Sequence, residues 1–310
     1  MLRSTLLWLS DRQNVFEFVK RNSLARRLAS RFVAGETLDS AIVAARALND
    51  GDISVSLDLL GESVTDERQA ARARDEVIEI LDRIAETGVD ANVSIKLTQM
   101  GLDLDQEICV QNMRAVLDKA REKNIFVRLD MEGSDHTERT LALFWDRLHA
   151  DYGNLTGVVI QSYMRRSGTD IDRLIEMQAR VRLCKGAYAE ADEIAFQARR
   201  EVSDSYKLLL ENLLDRGNYP GIATHDQELI DHTIAYVEKN NIRADRFEFQ
   251  MLYGVRRDLQ DKLRKLGFNM RVYVPFGTQW YPYLMRRLAE RPSNIAFIGM
   301  SVLKEALRSK

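Results

Sequence analysis

Apolar and polar residues follow two different rhythms along this chain, and the rhythm changes near residue 50. Before that point apolar residues such as Val15 and Val19 recur at helical spacing. An Asn-Asp-Gly run at 49–51 then signals a stop and a turn. We therefore predict that residues 1–50 form a helical arm without a strand, and that residues 51–310 form the main domain.

From residue 53 onward, short apolar and β-branched runs alternate with longer amphipathic stretches. Such alternation predicts parallel strands joined by crossover helices. Eight units at roughly 30-residue spacing match a closed (β/α)8 TIM-type barrel. The predicted strands are 53–60, 91–97, 125–131, 156–161, 181–184, 221–224, 246–251 and 270–274, and the predicted helices include 66–86, 105–123, 190–216 and 227–240.

An open doubly wound sheet is the alternative arrangement of the same units. Its commonest signature, a G-x-G-x-x-G run after the first strand, is absent from the sequence. That absence and the count of eight favour the barrel.

Composition and charge exclude several classes of protein. The chain has 310 residues and a formal net charge of −2. It therefore lacks the overall basic character typical of proteins that bind nucleic acid. The two cysteines, Cys109 and Cys184, are far apart in sequence, which makes a reducing cytosol the expected compartment. No apolar run of about 18 residues suggests a membrane span.

Polar and charged residues stand at the carboxyl ends of most predicted strands. In barrels of this kind the catalytic groups come from several strand ends on one face. The coincidence therefore predicts an enzyme. The residues are Lys96, Asp130, Glu132, Gln161, Arg182, Lys185, Thr224, His225, Gln250 and Tyr273.

Structural explanations exist for several of these residues. Lys96 and Asp130 could form an ion pair across neighbouring strands. Thr224, three residues before Gln227, fits a capping box at the start of a helix. Gly186 could simply allow a positive φ angle in a turn.

A further cluster lies near the C-terminus. On a helix, Tyr283 shares a face with Arg286 and Arg287, and Glu290 follows them by four and three positions. The cluster fits a solvated face of paired charges, and it fits a guanidinium site for a carboxylate equally well.

Other common chemistries have no motif in the sequence. The four histidines show no metal-ligand spacing, and neither a phosphate loop nor a serine elbow is present, so no metal site is predicted. Redox chemistry on an organic cofactor is one interpretation. A Schiff-base lyase with Lys96 or Lys185 as nucleophile is a second, and a non-enzymatic helical scaffold is a third.

Taken in order along the chain, these segments resemble the proline dehydrogenase family in its monofunctional bacterial form. The resemblance covers about residues 51–300, and residues 1–50 match only as a generic helical arm. The segments that carry it are 56–62, 94–97, 129–132, 182–188, 223–225, 247–254, 271–277 and 283–290.

The resemblance implies a distorted barrel that binds FAD at the carboxyl ends of its strands. The implied reaction oxidises L-proline to Δ1-pyrroline-5-carboxylate and passes electrons to a membrane quinone. Weak peripheral association with the inner face of the membrane, and oligomerisation, are compatible with it. Where the family has a small aliphatic residue, this chain has Cys184, which should pack in the same way.

The resemblance also assigns roles to residues. Asp130, Arg182 and Tyr273 would be catalytic, with Asp130 paired to Lys96 and Arg182 near the flavin N5. The substrate would be bound by Lys96, Arg286, Arg287, Tyr283, Leu252, Tyr188, Glu62 and Glu290. FAD would be contacted by Met131, Gln161, Arg182, Lys185, Gly186, Ala187, Thr224 and His225.

Overall fold

A closed parallel barrel of eight strands is the central element of the structure, as the sequence predicts. The computed structural model describes residues 29–61 and 64–290, except the side chains of Arg286, Leu288, Ala289 and Glu290. Strands pair in chain order, and the eighth closes the barrel on the first. The strands are β1 (Ser54–Leu59), β2 (Ala91–Ile95), β3 (Val127–Leu129), β4 (Thr156–Gln161), β5 (Arg180–Cys184), β6 (Gly221–Ala223), β7 (Glu248–Leu252) and β8 (Met270–Phe276).

Helices connect the strands and form the outer layer. They are α1 (Leu38–Asn49), α2 (Glu67–Thr87), α3 (Gln106–Lys123), α4 (Ser134–Leu143), α5 (His149–Tyr152), α6 (Ser167–Glu176), α7 (Arg199–Arg216), α8 (Gln227–Lys239), α9 (Arg257–Lys265) and α10 (Trp280–Glu290). A π-helical turn at Phe144–Leu148 and a 3-10 turn at Gly153–Leu155 flank α5. Another 3-10 turn, Ala244–Arg246, precedes β7.

Side chains on the outer faces of the strands make the main hydrophobic core. Leu57, Val93 and Leu129 are fully or almost fully buried. They belong to one continuous cluster with apolar residues of the helices, such as Leu81 of α2 and Leu117 of α3. Because successive residues of a strand point to opposite faces, the residues between them point into the barrel.

One predicted helix begins later than the sequence pattern indicates. The prediction of a helix over 190–216 is wrong for its first nine residues, since α7 begins at Arg199. The backbone of Ile194 accepts a hydrogen bond from Arg165 N, and Phe196 N donates to Tyr163 O. These bonds tie the segment to the loop after β4, so its backbone groups are not available for a helix.

The chain before β1 contributes to two separate cores. α1 packs against β1 and β8, and its Ala41 and Ala45 are fully buried in the main cluster. Phe32 instead belongs to a second cluster with Tyr281 and Met285 of α10. No strand occurs before β1 in the part of the chain that the structure describes, and residues 1–28 of the predicted arm lie outside it. The boundary between arm and barrel stays a prediction.

Candidate active site

The interior of the barrel is polar rather than apolar. Arg182 (β5) is buried and donates hydrogen bonds across the barrel to three other buried residues, Ser56 (β1), Ser94 (β2) and Gln250 (β7). In most barrels, bulky branched aliphatic side chains fill this space in layers. A buried parallel strand normally reads as a continuous apolar run, so polar residues at alternate positions of these strands require a function.

Arg182 lies at the centre of this interior and is 6% exposed. Its Nη1 donates to Asp130 Oδ1 at 2.8 Å and to Ser94 Oγ at 3.0 Å. Its Nε donates to Gln250 Oε1 at 2.5 Å, and its Nη2 lies 3.4 Å from Ser56 Oγ. The guanidinium is therefore fixed from four directions before any ligand arrives.

Asp130 joins Arg182 to Tyr273. The Tyr273 hydroxyl donates to Asp130 Oδ2 at 2.7 Å, while the other carboxylate oxygen accepts from Arg182. Burial, reinforced by the neighbouring Asp130 carboxylate, raises the pKa of Tyr273 well above its usual value. The phenol therefore stays protonated and acts as a hydrogen-bond donor. The predicted catalytic residues Asp130, Arg182 and Tyr273 are brought into direct contact.

The predicted partner of Lys96 is wrong. Lys96 Nζ forms its ion pair with Asp58 Oδ1 at 3.0 Å, not with Asp130. Asp58 is the inward-facing residue at the end of β1 and is nearly fully buried. Asp130 instead satisfies Arg182 and Tyr273.

The charge state of Lys96 follows from these neighbours. Burial alone would lower its pKa, but the carboxylates of Asp58 and Asp130 outweigh burial and hold the pKa above the usual value. Lys96 is therefore an ammonium group. A Schiff-base nucleophile requires a neutral amine, so the lyase interpretation loses support at this residue.

Asp58 is the functional residue that the interpretation of strand ends missed. β1 reads Ser-Val-Ser-Leu-Asp-Leu, and Ser56 and Asp58 face inward because they contact Arg182 and Lys96. Polar residues at every second position of a buried strand indicate an inward-facing polar set, and this pattern could have identified Asp58 from the sequence.

The predicted cofactor residues lie in or just after β3, β4, β5 and β6, which are consecutive strands of the barrel. Gln161 Nε2 donates to Glu132 O at 2.8 Å, and Lys185 Nζ forms an ion pair with Asp226 at 2.6 Å. His225 Nε2 accepts from Leu252 N at 2.9 Å, so in the neutral ring Nδ1 carries the proton. Met131 is buried and Ala187 is exposed.

The structural explanation given for Gly186 is confirmed, and the one given for Thr224 is wrong. Gly186 has φ 105, and a Cβ there would overlap the ring of Tyr163, so only glycine fits. The capping box of Thr224 and Gln227 is wrong. Asp226 is the N-cap of α8 and accepts from Glu228 N, whereas Thr224 Oγ1 accepts from Asp226 N. Thr224 thus shapes the turn before the helix.

The C-terminal cluster is only partly described. Arg287 lies over the ring of Tyr283 with its guanidinium carbon 5.2 Å from the ring centre, as their helical spacing predicts. The side chains of Arg286 and Glu290, and the whole of Glu62, lie outside the described residues. The carboxylate clamp therefore stays a prediction.

A cavity of about 490 Å³ opens between the loops that follow β3 and β5. Tyr188, which the resemblance assigns to the substrate, lines it and is 42% exposed. The other lining residues are Glu132, Gly133, Ser134, Asp135, His136, Ala189, Glu190, Ala191 and Ile194.

No group of three or more His, Cys, Asp or Glu side chains with the arrangement of a metal site occurs among residues 29–61 and 64–290. Across the same residues, no helix has the length and apolar character needed to cross a membrane.

An Arg–Asp–Tyr cluster inside the barrel, with Asp130 and a charged lysine just beyond the carboxyl ends of β3 and β2, is typical of a β/α-barrel enzyme. The family model for proline dehydrogenase matches residues 41–299. The chain therefore belongs to the proline dehydrogenase family, an oxidoreductase family of proline metabolism, as the sequence segments predicted.

Individual relatives agree with the family. Proline dehydrogenase 1 of Bacillus subtilis (strain 168) is 39% identical over 305 residues, covering 98% of this chain and 100% of the relative. The proline dehydrogenase of Deinococcus radiodurans is 37% identical over 307 residues, covering 98% of each. The crystal structure of proline utilization A from Bdellovibrio bacteriovorus, inactivated by N-propargylglycine, superposes with a TM-score of 0.80 at 27% identity, covering 85% of this chain and 32% of that longer chain.

Proposed function

We propose that this proline dehydrogenase oxidises L-proline to Δ1-pyrroline-5-carboxylate with bound FAD and passes the electrons to a quinone. The observation that carries the proposal is the buried Arg182–Asp130–Tyr273 cluster beside the charged Lys96. It combines a fixed cation for a redox cofactor with a second cation for a substrate carboxylate.

The donor set along β4 to β6 fits FAD. Lys185 would supply positive charge for a dinucleotide that carries phosphates, Arg182 would lie near the flavin N5, and the Nδ1–H of His225 would be a further donor. Gln161, Thr224, Met131 and the chain at Gly186–Ala187 would complete the contacts. Bound FAD supplies an acceptor for the two electrons and the hydrogen that leave C5 of proline.

Substrate orientation would be the task of three cationic residues. The carboxylate is the one strong handle on proline, and Lys96 would bind it together with Arg286 and Arg287 of α10. The pyrrolidine ring offers only apolar surface. Tyr188, Leu252, Tyr273 and Tyr283 would cover it and exclude water, while Glu62 and Glu290 would pair with the arginines.

Asp130 organises the reacting region without being assigned as a base. Its two oxygens hold Arg182 and Tyr273, so both donors keep fixed positions when the substrate binds. Such preorganisation places C5 of proline within reach of the acceptor and favours hydride departure over side reactions.

The decisive experiment is anaerobic titration of the purified protein with L-proline. We expect flavin absorbance near about 450 nm that bleaches with proline and returns on addition of a soluble quinone. Glycine and L-alanine serve as controls and should leave the spectrum unchanged. A colourless protein, or trapping of a carbonyl substrate on Lys96 or Lys185 by borohydride, would overturn the proposal in favour of a lyase.

The proposed electron acceptor implies a cellular location for the enzyme. If the acceptor is a membrane quinone, the enzyme works in the cytoplasm and meets the inner face of the membrane by weak peripheral contact. Co-sedimentation with quinone-containing vesicles tests that contact.

A further inference from the structure

A second line of buried polar side chains runs beneath Arg182. Gln250 receives the Nε–H of Arg182 and donates its own Nε2 to Glu248 Oε1 at 2.6 Å. Glu248 in turn accepts from Arg271 Nε at 2.8 Å, and Arg271 Nη1 donates to Val55 O at 2.8 Å. Arg182, Gln250 and Glu248 are buried, and the Arg271 side chain is 11% exposed, so the line is largely shielded from solvent.

The direction of the Gln250 amide is fixed by its two neighbours. A guanidinium only donates and a carboxylate only accepts, so the amide oxygen must face Arg182 and the amide nitrogen must face Glu248. The reverse orientation would leave two donors in contact on one side and two acceptors on the other. Space is reserved for the amide as well, because a Cβ on Gly221 would overlap Gln250 Nε2.

Glu248 is ionised in this setting. Burial alone would raise its pKa, but the charge of Arg271 and its hydrogen bond outweigh burial, and the pKa lies below the usual value. Arg128 adds positive charge nearby and also lowers the pKa of Glu248. The carboxylate therefore keeps its orienting role at neutral pH.

We propose that Gln250, oriented by Glu248, is a positioning residue for Arg182. The neutral amide fixes the direction of the guanidinium without neutralising its charge, so that Asp130 remains its one ionic partner among the described contacts. The inference rests on the proposed function, in which the Arg182 charge favours the reduced cofactor. The inference means that the position of Arg182 depends on Gln250 and Glu248 as well as on the residues that contact the ligand.

The first variant is Gln250→Met, which keeps the volume and removes the hydrogen bonds. We expect a lower midpoint potential of the bound flavin and roughly 10-fold slower reduction at saturating proline, with half-saturation within about 2-fold of wild type. The guanidinium of Arg182 should take a different position in a crystal structure of the variant.

Asn112→Leu is the matched control. Asn112 is also a buried amide between a guanidinium and an acceptor, since its Oδ1 lies 3.3 Å from Arg74 Nη1 and its Nδ2 donates to Met100 O. It stands on α3 in the outer layer. Its loss should lower stability without changing the flavin potential.

The second variant exchanges the two residues, as Glu248→Gln with Gln250→Glu. The count of carboxylates stays constant and each arginine keeps an acceptor, but the negative charge now faces Arg182. We expect the guanidinium to keep its position and the midpoint potential to fall. This variant also decides the question if Gln250→Met does not fold.

The outcomes separate the two proposals. A wild-type protein without flavin, or one that proline does not bleach, overturns the proposed function. A bleachable wild type with unchanged potential and reduction rate in Gln250→Met overturns the positioning role. An unchanged potential in the exchanged variant also overturns it, because the neutrality of the amide would then have no effect.

Discussion

At the scale of single residues, the site depends on which carboxylate faces which cation. Lys96 faces Asp58, and Arg182 faces Asp130, although all four side chains lie close together in the barrel. Lys96 follows β2, which lies between β1 with Asp58 and β3 with Asp130, so either carboxylate is a candidate partner from the sequence. The sequence does not show how far each side chain reaches, and reach decides the pairing. The predicted Lys96–Asp130 pair failed for this reason.

Asp58→Asn tests the pairing through pH dependence. In the wild type the carboxylates keep the pKa of Lys96 above its usual value, so the ammonium persists through neutral and moderately alkaline pH. Without Asp58, burial should dominate and lower that pKa. The alkaline rise in the KM for proline should therefore begin about 1 pH unit or more earlier.

The sign of the stability effect follows from the same shift. A pKa raised on folding contributes stability below the unfolded value of about 10.4, and this contribution is lost as pH rises through the folded value. Asp58→Asn should remove that contribution near neutral pH, as measured by chemical denaturation. If the KM profile keeps its wild-type alkaline limb, Lys96 does not bind the carboxylate as its free ammonium.

At the scale of elements, the loop after β5 is where prediction and structure differ most. Amphipathic spacing correctly predicted α7 but extended it backwards to residue 190. Hydrophobic periodicity does not reveal that a segment pairs with another loop, as Ala195 does with Met164. The positive φ predicted as one explanation for Gly186 is confirmed. The loop therefore begins at a position that only glycine can occupy.

Gly186→Ala should disrupt this loop. The substitution places a side chain at φ 105 and against the ring of Tyr163, which costs about 1–3 kcal/mol of unfolding free energy. Because Lys185 and Ala187 flank it, FAD retention should weaken in the same variant. Thermal unfolding and flavin content after gel filtration measure the two effects.

Gly168→Ala supplies the control. Gly168 lies in α6, where a Cβ would meet nothing within 4 Å. Alanine favours helix, so stability should stay level or rise by up to about 1 kcal/mol. Full flavin content in Gly186→Ala would contradict the assignment of this loop to the cofactor.

At the scale of the whole molecule, the eight-strand count was predictable because each strand has apolar residues on the face that packs against the helices, and a longer amphipathic stretch separates it from the next. The second core, which joins Phe32 to α10, was not. Contacts between segments about 250 residues apart leave no periodic trace in a single sequence. This core nevertheless holds the helix that carries the proposed carboxylate clamp, and the Trp280 Nε1–H bond to Glu36 at 2.9 Å supports the same contact.

Phe32→Ala should therefore affect substrate binding from a distance. Removing the ring leaves a cavity against Tyr281 and Met285, loosens α10 and should raise the KM for proline roughly 10-fold. Phe144→Ala is the control, because Phe144 is fully buried in the main core on the π-helical turn.

The control should destabilise the fold by about 3–5 kcal/mol and leave the KM unchanged in the folded fraction. If Phe32→Ala and Phe144→Ala have the same KM for proline, the second core does not position the arginines of α10. Stability and KM are measured on the same preparations, so the two effects are separated directly.

Two glycines of the barrel interior carry a consequence for how this protein can change. A Cβ on Gly157 would lie 2.3 Å from the backbone oxygen of Arg180 and 2.8 Å from Arg128 Nη1, and one on Gly221 would overlap the Gln250 amide. Each long polar side chain therefore occupies volume that a neighbouring strand has given up. The residue sizes at 221 and 250, and at 157 and 128, are therefore coupled. A larger residue at 221 is accommodated only after residue 250 has changed, and at 157 the backbone oxygen of Arg180 excludes a side chain whatever residue stands at 128. Single substitutions toward a conventional aliphatic barrel therefore have an obligatory order at the first pair and are blocked at position 157.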